Sequence, residues 1–229
     1  MDPAAPRRRT QVERRAESED ALLDAAAALV AERGIEGASL ARIGQRAGAS
    51  RGLTTHHFGS KDGLVARLAR RAQNQIDDAA WAAVERGGRH VEDLPGLDLV
   101  RATVDTYLKR FEDPSSNDRA LIVMWGATFP AEASVEGMLE ADTRSREGWA
   151  GLIEQGQRDG SIRTDLDPRT GAILLQGLVR GVAATFLTDA HLTEKGQARQ
   201  ACQAWITSAL APPRDEPTIP ARPPRSVHR

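Results

Sequence analysis

Five hydrogen-bonding side chains fall within one seven-residue stretch: Arg51, Thr54, Thr55, His56 and His57. An adjacent histidine pair invites a metal or acid–base reading. Neighbours on a helix, however, diverge by about a hundred degrees, so the two imidazoles cannot easily hold one ion. Cys202 is the single cysteine. It excludes a disulfide within the chain, and with no histidine or basic cluster nearby to lower its pKa it reads as a small apolar filler. No Walker loop, dinucleotide fingerprint or H-E-x-x-H spacing occurs. The expectation is therefore no enzyme, no metal and no cofactor. What remains is recognition, since a guanidinium, hydroxyls and imidazoles on one short helix can bond base edges and phosphates.

The surrounding residues supply a way to present that helix. Leu40, Ile43 and Ala47 recur at helical spacing, giving a first short helix one apolar face. Gly48 follows, where a sharp inter-helix turn calls for a positive φ. Ser50 can cap the next helix, residues 51–57, by accepting from one of its free N–H groups. A polar helix placed second after a glycine turn is what a DNA-reading helix-turn-helix requires. A buried helical hairpin would not concentrate Arg51, Thr54, Thr55, His56 and His57 on its outer surface.

The stretch also resembles a known family. Glu32-Arg33-Gly34, Ser39, Ile43-Gly44, Ala47-Gly48-Ala49-Ser50, Gly52, His57-Phe58, Ser60-Lys61 and Leu64 follow, without a gap, the signature of the tetracycline-repressor (TetR) family of bacterial transcription regulators. The likeness runs over residues 21–68. Three positions depart from it. Ser39 stands where Thr is usual and keeps the hydroxyl cap. Gly44 stands for Ala, which predicts a less stable helix. Thr55 stands for a Tyr that contacts phosphate or base, which shortens that contact. The resemblance implies that His57 is structural or phosphate-contacting and that His56 faces DNA. It also implies that the region after the first three helices is a ligand-sensing, dimerising bundle; residues 156–181 look like one version of it.

Charge is divided along the chain. Thirteen Lys/Arg face eight Asp/Glu over residues 7–71, and eighteen face twenty-four in the remainder. A basic third joined to an acidic remainder fits a nucleic-acid-binding domain and a second domain with another task. Charged residues at 28% and hydrophobic ones at 40% are ordinary for a globular chain. No apolar run reaches the roughly eighteen residues of a membrane span, so the cytoplasm is the expected compartment.

Arg7, Arg8, Arg9, Arg14 and Arg15 read as a flexible basic arm, residues 1–16, with Ser18 capping the first helix. The DNA-binding domain is placed at residues 17–70. Ser60 should cap a long helix running past Trp81 to Arg86, a rigid rod leaving the DNA-binding module for the second domain, residues 71–211. There only helical patterns appear, including an almost wholly apolar, buried run at 120–129 ended or kinked by Pro130, a long helix over 134–158, a helix opened by Asp167-Pro168, and a last one near 194–210. Residues 212–229 hold six of the twelve prolines and read as a disordered tail.

These features predict an all-α chain: an N-terminal three-helix helix-turn-helix domain and a C-terminal helical effector-binding and dimerisation bundle. The expected function is a ligand-responsive, homodimeric repressor of a pseudo-palindromic double-stranded operator, released by a small molecule. A helical carrier or enzyme with an incidental helix-turn-helix is the alternative. Ser50, Arg51, Gly52, Leu53 and His56 are placed near base edges, and Ser39, Thr55, His57 and Lys61 on phosphates. Tyr107, Phe111, Met124, Trp125, Phe129, Trp149 and Phe186 are the expected effector pocket. The two C-terminal helices, at 167–187 and 194–210, are the expected dimer contact.

Overall fold

A computed structural model describes residues 10–127, 136–189 and 191–213. The predicted basic residues Arg7 to Arg9, Phe129, Pro130, Ser134 and the tail from residue 214 lie outside the described residues. Those described form α1 (Gln11–Gly37), α2 (Leu40–Arg46), α3 (Arg51–Phe58), α4 (Lys61–Arg86), α5 (Gly96–Glu112), α6 (Ser116–Gly126), α7 (Glu136–Asp159), α8 (Pro168–Thr188) and α9 (Lys195–Leu210), with a short 3-10 turn at Val91–Asp93. No strand occurs among them.

The first helix corrects one expectation. It begins at Gln11, not after Ser18, so Arg14 and Arg15 belong to α1 and not to an arm. Residues 11–20 are mostly good helix formers, and they extend the helix through the Ser18 cap signal. Leu22, Ala26, Leu29 and Val30 form its buried stripe as the spacing predicts. Gly34, at φ 70°, breaks the helical path near its end.

The caps of the later helices are those the sequence spells. Ser60 Oγ accepts from Gly63 N at 3.1 Å and starts α4, which runs to Arg86 and stops at Gly87. Asp167 accepts from Thr170 N at 2.7 Å and Thr170 Oγ1 at 2.8 Å to start α8. Those two bonds favour the carboxylate and hold the Asp167 pKa below the usual carboxylate range. Ser115 and Asp118 form a reciprocal capping box on α6.

Two layers of packing connect the ends of the molecule. α1 packs on α6, while α4 packs on α5 and α7, and α7 packs on α8. Asp118, buried at the start of α6, takes the Arg110 guanidinium of α5 at 2.7–2.8 Å, and Arg110 also donates to Gln75 O of α4 at 3.3 Å. The α6 helix is thus clamped to the middle of α4 while its flank rests on α1. It is less buried than its apolar run suggests: Ala120, Leu121 and Met124 are in the core, but Ile122, Val123 and Trp125 are half-buried. Arg199 of α9 bonds Asp105 and Glu112 of α5, the latter at 2.7 Å.

α8 has two faces of opposite fate. Ala172, Leu175, Val179, Ala183 and Phe186 are core. Ile173 and Leu174 on the other side are 59% and 64% exposed, and Trp205 of α9 is 70% exposed. By length and composition α8 could cross a membrane, with only 44% of its apolar stretch buried. Its outer side is an apolar surface without a partner among the described residues. Gly171 lets α8 approach Ile153 and Leu166 closely, while Gly177 and Gly181 face open space.

Candidate nucleic-acid interface and effector cavity

The turn between α2 and α3 is built as its residues dictate. Gly48 takes φ 67°, and Ala49 N reaches back to Gly44 O at 2.8 Å. Ser39 caps α2 through Arg42 N at 3.4 Å, and Ser50 caps α3 through Leu53 N at 3.1 Å. Residues 48–52, Gly-Ala-Ser-Arg-Gly, carry the G-x-S-x-G spelling of a hydrolase nucleophile elbow. That elbow needs a strand before its serine. Here a helix precedes it, and Ser50 Oγ is engaged in capping.

Gly44 has a physical reason that helix propensity does not supply. A Cβ there would lie 2.7 Å from Thr54 Oγ1 and 3.0 Å from Ala49 O. Thr54 is fully buried, its hydroxyl donating to Ser50 O at 3.1 Å. Thus α2 and α3 close on each other at Gly44 and Thr54, and that contact sets the pose of α3.

Arg51, Gly52, Leu53, Thr55 and His56 are exposed along one side of α3, beside the exposed caps Ser39 and Ser50. Arg51 has no hydrogen bond or ion pair with any described residue. Lys61, in the first turn of α4, pairs with the almost fully exposed Glu36 at 2.7 Å. Two sequence expectations are corrected here. Thr54 faces the core, and so does His57, whose side chain is only 3% exposed with Nδ1 3.7 Å from Glu19. Thr54, His57 and Phe58 sit at i, i+3 and i+4, the spacing of an inward face, so His57 braces α3 against α1. The His56 and His57 rings meet edge-on at 6.0 Å. No cluster of His, Cys, Asp or Glu suited to a metal occurs among the described residues.

A second site lies between α4, α5, α6, α7 and α8: a cavity of about 330 Å³, within the range of small-molecule sites. Of the residues expected to hold an effector, Tyr107 and Trp149 line it. Phe111, Met124 and Phe186 do not; they are buried among apolar neighbours in the core. Trp125 instead lies under the Arg180 guanidinium, 5.6 Å from the ring centre. The sequence reading missed Asp77, Trp81, Gln176 and Arg180, which also line it. Arg180 is 4% exposed and lies 2.6 Å from Asp142 Oδ1, close but poorly directed for a hydrogen bond. With its amide oriented to match, Gln176 O accepts from Arg180 at 2.7 and 3.2 Å. A lone Arg within the apolar run of α8 was the available signal, since a buried charge needs partners. Asp77, surrounded by protein yet open to solvent at the rim, has its pKa raised by desolvation and, secondarily, by Asp78. Burial likewise pushes the Tyr107 phenol well up, against the pull of Arg180.

A helix-turn-helix mounted on a helical bundle that encloses a cavity is the architecture of a DNA-binding regulator. Comparison with known proteins gives the family. Residues 22–68 match the family described as "Bacterial regulatory proteins, tetR family". The chain is 31% identical over 150 residues to the HTH-type transcriptional repressor KstR2 of Rhodococcus jostii (strain RHA1), covering 64% of this chain and 68% of that protein. The fold matches a Rhodococcus sp. protein assigned to the TetR family of transcriptional regulators, with TM-score 0.73, 22% identity, 86% of this chain and all of the other covered. It also matches AibR, solved in complex with isovaleryl coenzyme A and operator DNA, with TM-score 0.61, 20% identity, 83% of this chain and 98% of that one covered. This chain belongs to the TetR family and is a DNA-binding transcriptional regulator.

Proposed function

We propose that the chain acts in the cytoplasm as a homodimeric repressor, released from a pseudo-palindromic operator by a small molecule held in the α4–α8 cavity. The observation that carries this reading is the span of α4. Its first turn follows α3 directly, and its middle, at Ile76, Asp77 and Trp81, lines the cavity. A ligand that favours one tilt of that rod therefore biases the position of α3. Leu121 of α6 lines the same cavity while α6 packs on α1, which provides a second mechanical link. AibR, of similar fold, is a precedent for one protein holding both a small molecule and operator DNA.

Ile173, Leu174 and Trp205, with the bare glycine positions 177 and 181, form the surface we assign to a second copy. Packed as a four-helix bundle, α8 and α9 of each protomer would bury it. The two α3 helices then enter successive major grooves about one helical turn apart. Arg51, Ser50, Gly52, Leu53 and His56 lie nearest base edges in this arrangement, with Ser39, Thr55 and Lys61 on phosphates. Lys61 would give up Glu36 for a phosphate, an exchange of one exposed pair for another. Sedimentation of the protein with a selected operator duplex tests the assembly. A symmetric site occupied by two chains is expected; a site saturated by one chain would refute it.

A further inference from the structure

Within the cavity read above as the effector site, the polar groups of the floor are unequal in kind. Arg180 is always charged and carries five N–H donors; the Gln176 carbonyl accepts from two of its nitrogens, while Asp142 meets its charge without a directed hydrogen bond. Tyr107, 6% exposed, stands beside it, and its hydroxyl has no hydrogen-bond partner. Buried polar groups nearly always find one. The raised pKa of Tyr107 keeps the hydroxyl protonated, a donor without an acceptor. Trp81 and Trp149 supply apolar wall above the floor. At the rim the charges differ: Arg144 is engaged by Glu140 at 2.7 Å, and Asp77 is open to water, which can solvate it. Asp142 Oδ1 also lacks a directed hydrogen bond, but the Arg180 charge faces it at 2.6 Å; the Tyr107 O–H is the group left with neither an acceptor nor an opposite charge.

We infer that the effector carries a carbonyl or carboxylate oxygen that docks on the Tyr107 hydroxyl and the Arg180 guanidinium, with its apolar part against Trp81 and Trp149. This inference rests on the cavity being the effector site. It excludes a cationic ligand anchored on Asp77, which would leave Tyr107 unserved.

Titration calorimetry on the full-length protein tests it with two matched pairs of probes: octanoate against octylamine, and 3-phenylpropanoate against 3-phenylpropylamine. The carboxylates should bind and the amines should not. Tyr107→Phe removes one oxygen atom and should weaken the carboxylates roughly tenfold, the size of one hydrogen bond. Because that hydroxyl is unpartnered, the variant should unfold at or above the wild-type temperature without probe, which separates a binding role from a structural one. Preference for the amines, no carboxylate binding, or unchanged binding in Tyr107→Phe would each overturn the inference. Operator retardation on the same samples separates the two readings. Intact, sequence-specific DNA binding without carboxylate binding sinks only this inference, whereas loss of sequence preference sinks the regulator reading itself.

Discussion

Replacing Gly44 by alanine sets two effects against each other. Gly44 lies inside α2, where alanine is favoured by about 1 kcal/mol on helix propensity alone. The new methyl group, however, would sit 2.7 Å from Thr54 Oγ1 and 3.0 Å from Ala49 O. Neither neighbour gives way freely, because Thr54 is fully buried and bonded to Ser50 O, and Ala49 holds the turn through Gly44 O. Overpacking of this kind costs roughly 1–3 kcal/mol. The expected net is a destabilisation of about 0–2 kcal/mol where propensity predicts a gain. For a chain of this length that lowers the melting temperature by up to about 8 °C. Relief of the clash by opening the α2–α3 angle should also weaken operator binding. Thermal unfolding followed by circular dichroism measures the first effect and DNA titration the second. In a Thr54→Ala background much of the cost of Gly44→Ala should disappear, a coupling of about 1 kcal/mol between residues in contact. If Gly44→Ala raises the melting temperature and leaves operator affinity unchanged, the proposed close contact between the two helices is wrong.

Other perturbations probe the remaining parts. Arg51→Ala should cost roughly 1–3 kcal/mol on the operator and little on random DNA if the guanidinium reads a base; equal losses on both would move it to phosphate. Trp205→Asp puts a charge on the assigned dimer surface and should give a monomer by light scattering, while a dimer of undiminished strength would place the interface elsewhere. Asp77→Asn tests the rim of the cavity by pH. Desolvation raises the folded-state pKa above the ordinary 3.8, so ionisation costs stability as pH rises past that value. The variant should be more stable at neutral pH, and the difference should vanish in acid below 3.8, where both states are protonated; equal urea midpoints at neutral pH would refute the raised pKa.

Much of the scaffold was legible because its signals are local. Ser60 and Gly87 bracket α4, and Asp167-Pro168 opens α8, since caps and helix stops act within one turn. Where a local signal was overruled, the reading failed: Ser18 offers a cap, yet the helix formers before it carry α1 back to Gln11. The burial of Thr54 and His57 was present in their spacing with Phe58, but their polarity suggested an outward face. Gly44 looked like a weak residue until the position of Thr54 across the turn gave it a purpose. The cavity was the least legible part. Aromatic type alone could not separate Tyr107 and Trp149, which line it, from Phe111 and Phe186, which fill the core. Arg180 and Gln176 acquire their role only when α7 and α8 bring Asp142 beside them, a contact far apart in sequence.

The central claim is that paired α3 helices read one DNA sequence. Selection of bound fragments from the source genome tests it most directly, at about 150 mM salt so that counterion-driven binding to any DNA is suppressed. The account predicts enrichment of a pseudo-palindrome with half-sites about one helical turn apart. Recovery of no preferred sequence from protein shown to be free of bound small molecule would contradict it.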